Sequence, residues 1–226
     1  MINIITLVKG SKQMKTLSKA IAIASLVSAG VLSAQAANAE VSYNAALVTD
    51  YVWRGFTQTD NGVAIQGGAD YTHESGAYAG IWGSNVDYGD DDSIEYDYYF
   101  GYATEVNGLE VDAGYISYNL DDSGEGAVEL YGSVAKDAMS VMLSIDIEND
   151  NNMYLEGGYS MDLPQDLGLD LHAGYAMPDE GDSFLDLAAT VGKSLEMVDV
   201  SATLVYNDFE FADDDVLVFL TVSKEF

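Results

Sequence analysis

Cysteine is absent from the chain. That excludes disulfides and every cysteine-based zinc site. Positive charge is scarce: Lys and Arg together number 8 against 38 Asp and Glu, and the formal charge is −30. Arginine occurs once, at Arg54. Phosphate contacts need a basic surface, so nucleic acid is excluded as a partner. A basic patch for anionic lipid is missing too. Beyond residue 39 no apolar run approaches the ~20 residues of a membrane helix. Only two prolines occur, and helix signals are weak. The two histidines, His73 and His172, lie far apart in sequence. No serine sits in a recognisable nucleophile motif, and catalysis needs a nucleophile, a base and an orienting group together. Neither an enzyme, nor a cofactor, nor a metal site is expected.

The first 39 residues read as an export signal. Lys9, Lys12, Lys15 and Lys19 precede the apolar run Ala20–Leu32, and Ala37-Asn38-Ala39 has the small-residue cleavage pattern. Cleavage is expected after Ala39, with Ala36 as the alternative and Met14 as an alternative start. The mature domain, 40–226, then keeps only Arg54, Lys136, Lys193 and Lys224 against all 38 acids, a formal charge of −34.

What is abundant is alternation. In VDVSATLVYN, Val198, Val200, Ala202, Leu204 and Tyr206 share one face, while Asp199, Ser201, Thr203 and Asn207 share the other, with Val205 an exception. FLDLAATVGK, MSVMLSIDIE and AIQGGADYT behave alike. LEVDAGY (109–115) and LDLHAGY (169–175) nearly repeat each other as one recurring strand type. The pattern predicts about twelve strands: 41–54, 63–72, 77–86, 95–106, 109–118, 127–136, 139–148, 152–161, 168–177, 184–193, 197–207 and 215–226.

The connections alternate as well. The even ones are tight: HESG, NG, DA and SLE, with DLPQDLG of medium length. The odd ones are mostly longer and acidic: TQTDNG, YGDDDS, DDSGEG, PDEGDS and DFEFADDD, with NDN short. Short periplasmic turns and long outer loops are the habit of outer-membrane barrels. The expected fold is therefore all-β: an antiparallel transmembrane β-barrel of about 12 strands with both termini periplasmic. A soluble sandwich alternates too, but keeps its apolar face inside. Three features favour the barrel. Carboxylates stand mid-strand opposite aliphatics. Tyr43, Tyr71, Tyr96, Tyr115, Tyr118, Tyr159, Tyr175 and Tyr206 lie near strand ends, where an interfacial belt would sit. The last strand, VLVFLTVSKEF, ends on Phe226 in the manner of a barrel-assembly signal, although Lys224 breaks its apolar face.

The pieces DYVWRGFTQT, AIQGGADY, GAYAGIWGSNVD, VDAGYISY, VELYGSV and SKEF give the mature chain a resemblance to the TorF-type porin family of proteobacterial outer-membrane proteins. The resemblance implies an outer-membrane barrel and a passive channel. The expected partners are the outer-membrane bilayer, the barrel-assembly machinery acting on the strand that ends at Phe226, and small solutes or cations. The chain is expected to act as a monomer or small homo-oligomer.

Strand parity places Arg54, Asp50, Gln66, Asp70, Asp112, Glu156, Asp170, His172, Asp186 and Asp199 on the lumen side as candidate pore-lining residues. The same parity puts Tyr51 and Trp53 toward lipid. Arg54 is expected to pair with Asp50 or Asp70 and to narrow the pore, or else simply to hold the first two strands in register. YGDDDSIE and FADDDVL lack the spacing and closing Glu of a calcium loop. They read as a solvated acidic rim that attracts cations, and the expected function is cation-preferring passive diffusion. The alternatives are a non-conducting structural or adhesive barrel, and a soluble acidic β-sandwich that binds a ligand.

Overall fold

The structure, a computed structural model, describes residues 39–88, 92–121, 126–148, 152–209 and 216–226. The expected export signal, except Ala39, and most of the acidic runs at 89–91, 122–125 and 210–215 lie outside the described residues. Twelve antiparallel strands close into one barrel. They are β1 (Glu40–Val48), β4 (Ala64–Thr72), β5 (Ala77–Asp87), β6 (Asp92–Val106), β7 (Leu109–Leu120), β8 (Ala127–Lys136), β9 (Met139–Asp146), β10 (Met153–Leu163), β11 (Leu167–Met177), β12 (Phe184–Ser194), β13 (Asp199–Asn207) and β14 (Val216–Glu225). Two further strands, β2 (Val52–Trp53) and β3 (Phe56–Thr57), pair only with each other.

Each barrel strand pairs with the preceding barrel strand, β4 with β1, and β14 pairs with β1 from Asn44↔Glu225 to Val48↔Thr221. The last residue finishes the seam: Phe226 N–H donates to the Tyr43 carbonyl at 2.8 Å, and Tyr43 N–H returns a bond to Phe226 at 3.3 Å. Closure leaves no open edge, the condition for a sheet in a solvent that cannot hydrogen-bond its backbone. A two-sheet sandwich is thereby ruled out.

The expected tight turns all lie at the end that carries the termini. Asn107-Gly108 has φ of 55° and 77°, the left-handed pair that two-residue hairpins prefer. The connection DLPQDLG is tighter than its sequence suggests. Both β10 and β11 extend into it and leave Pro164, Gln165 and Asp166 as the turn, the last two with positive φ.

Alternation sorts the side chains by face. On β14, Val216, Val218, Leu220 and Val222 are 42–67 % exposed on the outside, whereas Leu217, Phe219, Thr221 and Ser223 are 3–6 % exposed inside. The outer wall carries Ile65, Ile81, Val141, Leu143, Leu155, Leu171 and Leu204, all exposed. The inner wall carries Gln66, Ser84, Glu95, Asp97, Glu129, Ser144, Asp186, Thr190 and Thr203, all buried. An apolar outside around a polar inside is the arrangement of a barrel in lipid. Lys224 lies with its ammonium 4.9 Å from the Phe226 ring, so its stem follows the apolar wall.

Glycine on one inner strand faces tyrosine on the next. Tyr99 lies over Gly80, Tyr78 over Gly101, and Tyr131 over Gly114, each pair directly in register. Tyr154 covers Gly174 on the diagonal. A Cβ at any of these glycines would overlap the ring. Tyr118 belongs to this inner set and not to the outer belt: it is buried on β7, on the opposite face from Tyr115.

Candidate functional site: a hairpin across the lumen

The first strand is shorter than its alternation suggests. β1 stops at Val48, and residues 49–63 turn into the barrel instead of rising from its rim. The cause is local. Trp53 pairs with Phe56 across Arg54 and Gly55, whose φ values of 48° and 87° make a two-residue turn with both residues left-handed. Gly55 is required there, because a Cβ would sit 3.0 Å from the Cβ atoms of both Asn207 and Asp186. Tyr51 and Trp53 consequently face the interior and not lipid. An alternating aromatic run looks the same whether its partner is lipid or a packed lumen.

The neck of this hairpin is tied by Asp50. Its carboxylate accepts from the Thr57 hydroxyl at 2.6 Å and lies 3.1 Å from that of Thr59. Burial raises the Asp50 pKa above the ordinary carboxylate value, against the pull of those hydroxyls. Gln58 carries the base to the wall, accepting from the Asp87 amide at 2.9 Å.

Apolar contacts hold the flanks. Tyr51 packs with Val48, Ala64 and Val86 and meets Trp82 edge-on at 5.6 Å. Val52 packs with Val205, Leu217 and Phe219, which explains why Val205 breaks the polar face of β13. Phe56, Phe184 and Phe209 form a mutual edge-to-face trio at 5.1–5.4 Å.

Arg54 stands at the tip. Its two terminal nitrogens donate to the two oxygens of Glu129 at 2.7 and 2.8 Å. Its guanidinium lies between the Trp53 and Tyr154 rings, 4.3 and 4.1 Å from their centroids. The partner is therefore neither Asp50 nor Asp70. Asp50 is engaged at the neck, and Asp70 is bonded by Tyr99 and Asn44 on the barrel wall. Nor does Arg54 hold β1 and β4 in register. In ring order β8 is the fifth strand from β1, so the hairpin crosses nearly the whole lumen to reach Glu129. Asn207 secures the tip from the side, donating to the Gly55 carbonyl at 2.7 Å.

The network continues beyond the tip. Tyr118 donates to Glu129 at 3.2 Å, and Tyr154 donates to Asp186 at 2.7 Å. His172 Nε2 lies 2.9 Å from Asp186, and its Nδ1 lies 3.5 Å from Glu156. Four of the sequence candidates, Arg54, Glu156, His172 and Asp186, thus converge. Asp50 is at the hairpin neck, and the others stand elsewhere on the inner wall. Asp112 accepts from Tyr78 at 2.8 Å, Asp170 from Ser160, and Gln66 faces Ser84. Asp199 stands half-buried at the start of β13, remote from the hairpin tip. Sequence reasoning missed Glu129, Trp53, Tyr118 and Tyr154. Parity along AVELYGSV marks Glu129 as inward, but nothing local marks it as the partner of a residue 75 positions away. Among the described residues no group of three or more His, Asp or Glu converges to hold a metal.

A closed twelve-stranded antiparallel barrel with an apolar outside and a polar inside has the architecture of an outer-membrane β-barrel. The comparisons agree at the level of the fold. A KdgM porin structure aligns with a TM-score of 0.58 at 9 % identity, covering 82 % of this chain and 98 % of the other. A second, the KdgM porin in complex with disordered oligogalacturonate, gives 0.56 at 8 % identity, covering 82 % and 97 %. No curated protein matches the chain. Residues 33–217 match the family model Gcw_chp, described as a bacterial protein of unknown function, and the chain belongs to that family.

Proposed function

We propose that the protein is an outer-membrane channel for the passive diffusion of small hydrophilic solutes, with a preference for cations, in which the 49–63 hairpin sets the bore. This reading accords with the TorF-type resemblance. One observation carries it: the only arginine is consumed in a bidentate pair with Glu129 on the inner wall. The inner wall presents Glu156 and Asp186 near it and Asp70, Asp112 and Asp170 elsewhere. The lysines Lys136, Lys193 and Lys224 sit at the strand ends near the termini. Rings of carboxylate select cations in narrow pores. Oligogalacturonate, named in the KdgM complex, is a chain of carboxylates, and this interior would repel it. Reversal potentials across a salt gradient test the proposal. A cation-selective potential supports it, and an anion-selective one defeats it.

The hairpin also favours a second reading, a barrel that does not conduct, because it spans the lumen and packs on both walls. Planar-bilayer recordings of the purified protein separate the two. Export by the N-terminal signal, termini on the periplasmic side, recognition of the Phe226 strand by the assembly machinery, and a monomer or small homo-oligomer complete the reading.

A further inference from the structure

Two carboxylates of the inner wall take no part in the network around Arg54. Glu95 and Asp97 are successive inward residues of β6 and lie on one face. Asp97 is completely buried and Glu95 is 9 % exposed. Both oxygens of Asp97, and Oε2 of Glu95, have no hydrogen-bond partner among the described residues. The Asn119 backbone N–H is turned toward Asp97 without closing a hydrogen bond. The ion pairs of the described residues are Arg54 with Glu129 and His172 with Glu156 and Asp186, so no cation side chain answers this pair.

That arrangement is expensive as it stands. Removing a bare carboxylate from water costs several kcal/mol, and inward neighbours two residues apart on a strand are only about 7 Å apart, close enough to repel. Either a proton or a bound cation must compensate. The surroundings say what kind. In register, Glu95 lies between Ser84 and Leu120, and Asp97 between Trp82 and Tyr118. Gln66 continues the Ser84 row. The Tyr51 side chain, at the neck of the hairpin, lies beside Glu95. The acceptor atoms these neighbours offer are hydroxyl and amide oxygens, with no sulfur and no imidazole among them. The chain entering β6 reads Asp90-Asp91-Asp92, a run that draws cations toward this end of the strand.

We propose that Glu95 and Asp97 form a lumen-facing site for one hard divalent cation of the calcium type. Asp97, with both oxygens free, supplies a bidentate carboxylate, and Glu95 supplies Oε2. Two carboxylates balance a charge of +2, and Gln66, Ser84 and water complete an oxygen shell of the number calcium takes. The site is not a calcium loop of the kind excluded from the sequence, because its ligands project from a strand. Because Tyr51 lies beside Glu95, the ion also links the hairpin neck to β6. The proposal does not depend on conduction.

The test uses the full mature chain folded in detergent, stripped with chelator and titrated with calcium chloride. Terbium serves as a luminescent substitute, sensitised by Trp82 at the site, with Trp53→Phe removing the other tryptophan. The expected result is one site per chain, with affinity lowered at least tenfold in Asp97→Asn and in Glu95→Gln. Thermal unfolding should shift upward with calcium in the parent and not in either variant. Equal binding and equal thermal shift in parent and variants would assign the calcium to the acidic loops and overturn the proposal. So would a parent that ignores calcium while Glu95→Gln/Asp97→Asn unfolds at higher temperature in metal-free buffer, since the carboxylates would then be carrying protons. Should Asp97→Asn fail to fold, Glu95→Gln and the terbium signal of the parent decide by the same criteria.

Discussion

Arg54 is worth more to this molecule than one charge among many. Its side chain is 16 % exposed and that of Glu129 is 6 %, so the pair is largely shielded from water. Arg54→Ala would leave Glu129 buried without a partner, a loss of about 3–5 kcal/mol for a broken buried pair. It would also remove the guanidinium from between two aromatic rings, a contact of about 2 kcal/mol when desolvated. The variant is expected to loosen the hairpin tip, seen as a lower unfolding temperature and a noisier, larger single-channel conductance. Arg54→Lys keeps the charge but loses the two-pronged fit, and should fall between the two. The glycines under tyrosine rings make a separate prediction. Gly114→Val or Gly174→Val forces Tyr131 or Tyr154 off the wall, and overpacking of this kind costs about 1–3 kcal/mol. Detergent unfolding of both variants measures it. Parity in the sequence already separated Tyr115 from Tyr118, which differ by an odd number of residues. Grouping them in one outer belt overlooked that a strand turns every second side chain inward.

At the scale of the element, the hairpin governs. It is anchored at the neck by Asp50, on one flank by Val205, Leu217 and Phe219, and at the tip by Glu129 and Asn207. Replacing Tyr51–Gln58 with two glycines should leave the barrel intact, because Asp50 and Thr59 already approach within hydrogen-bond distance. The barrel's ladder uses none of the deleted residues. Conductance should rise, and the retained β-sheet circular dichroism would show that the fold survives. The twelve strands and the long-and-short rhythm of their connections were legible because period-2 alternation reports the faces directly. The hairpin was not, because residues 50–54 continue that alternation without strand pairing. Only the Arg-Gly pair at 54 and 55 hinted at a turn. Its destination, a glutamate five strands away, is fixed by closure of the ring and leaves no trace in local sequence.

For the whole molecule, charge and closure act together. The outer wall is apolar, the inner wall is acidic, and the lone arginine is spent on holding the hairpin tip. Such a field acts through water and is screened by salt, with a Debye length near 10 Å at 0.1 M and near 3 Å at 1 M. Cation preference should therefore weaken steadily as ionic strength rises over that range, and a preference independent of salt would place selectivity in direct contacts at the hairpin. Glu129→Gln tests the balance from the other side. It leaves Arg54 uncompensated in the lumen and should shift the reversal potential toward anions.

The central claim is that a hairpin crossing the lumen of a closed barrel sets the passage through it. Its most direct test is single-channel conductance of the purified chain beside the variant in which two glycines replace Tyr51–Gln58. The account predicts cation-selective channels in both and a several-fold larger conductance in the variant. Equal conductance in the two proteins, with the variant barrel intact, would contradict it.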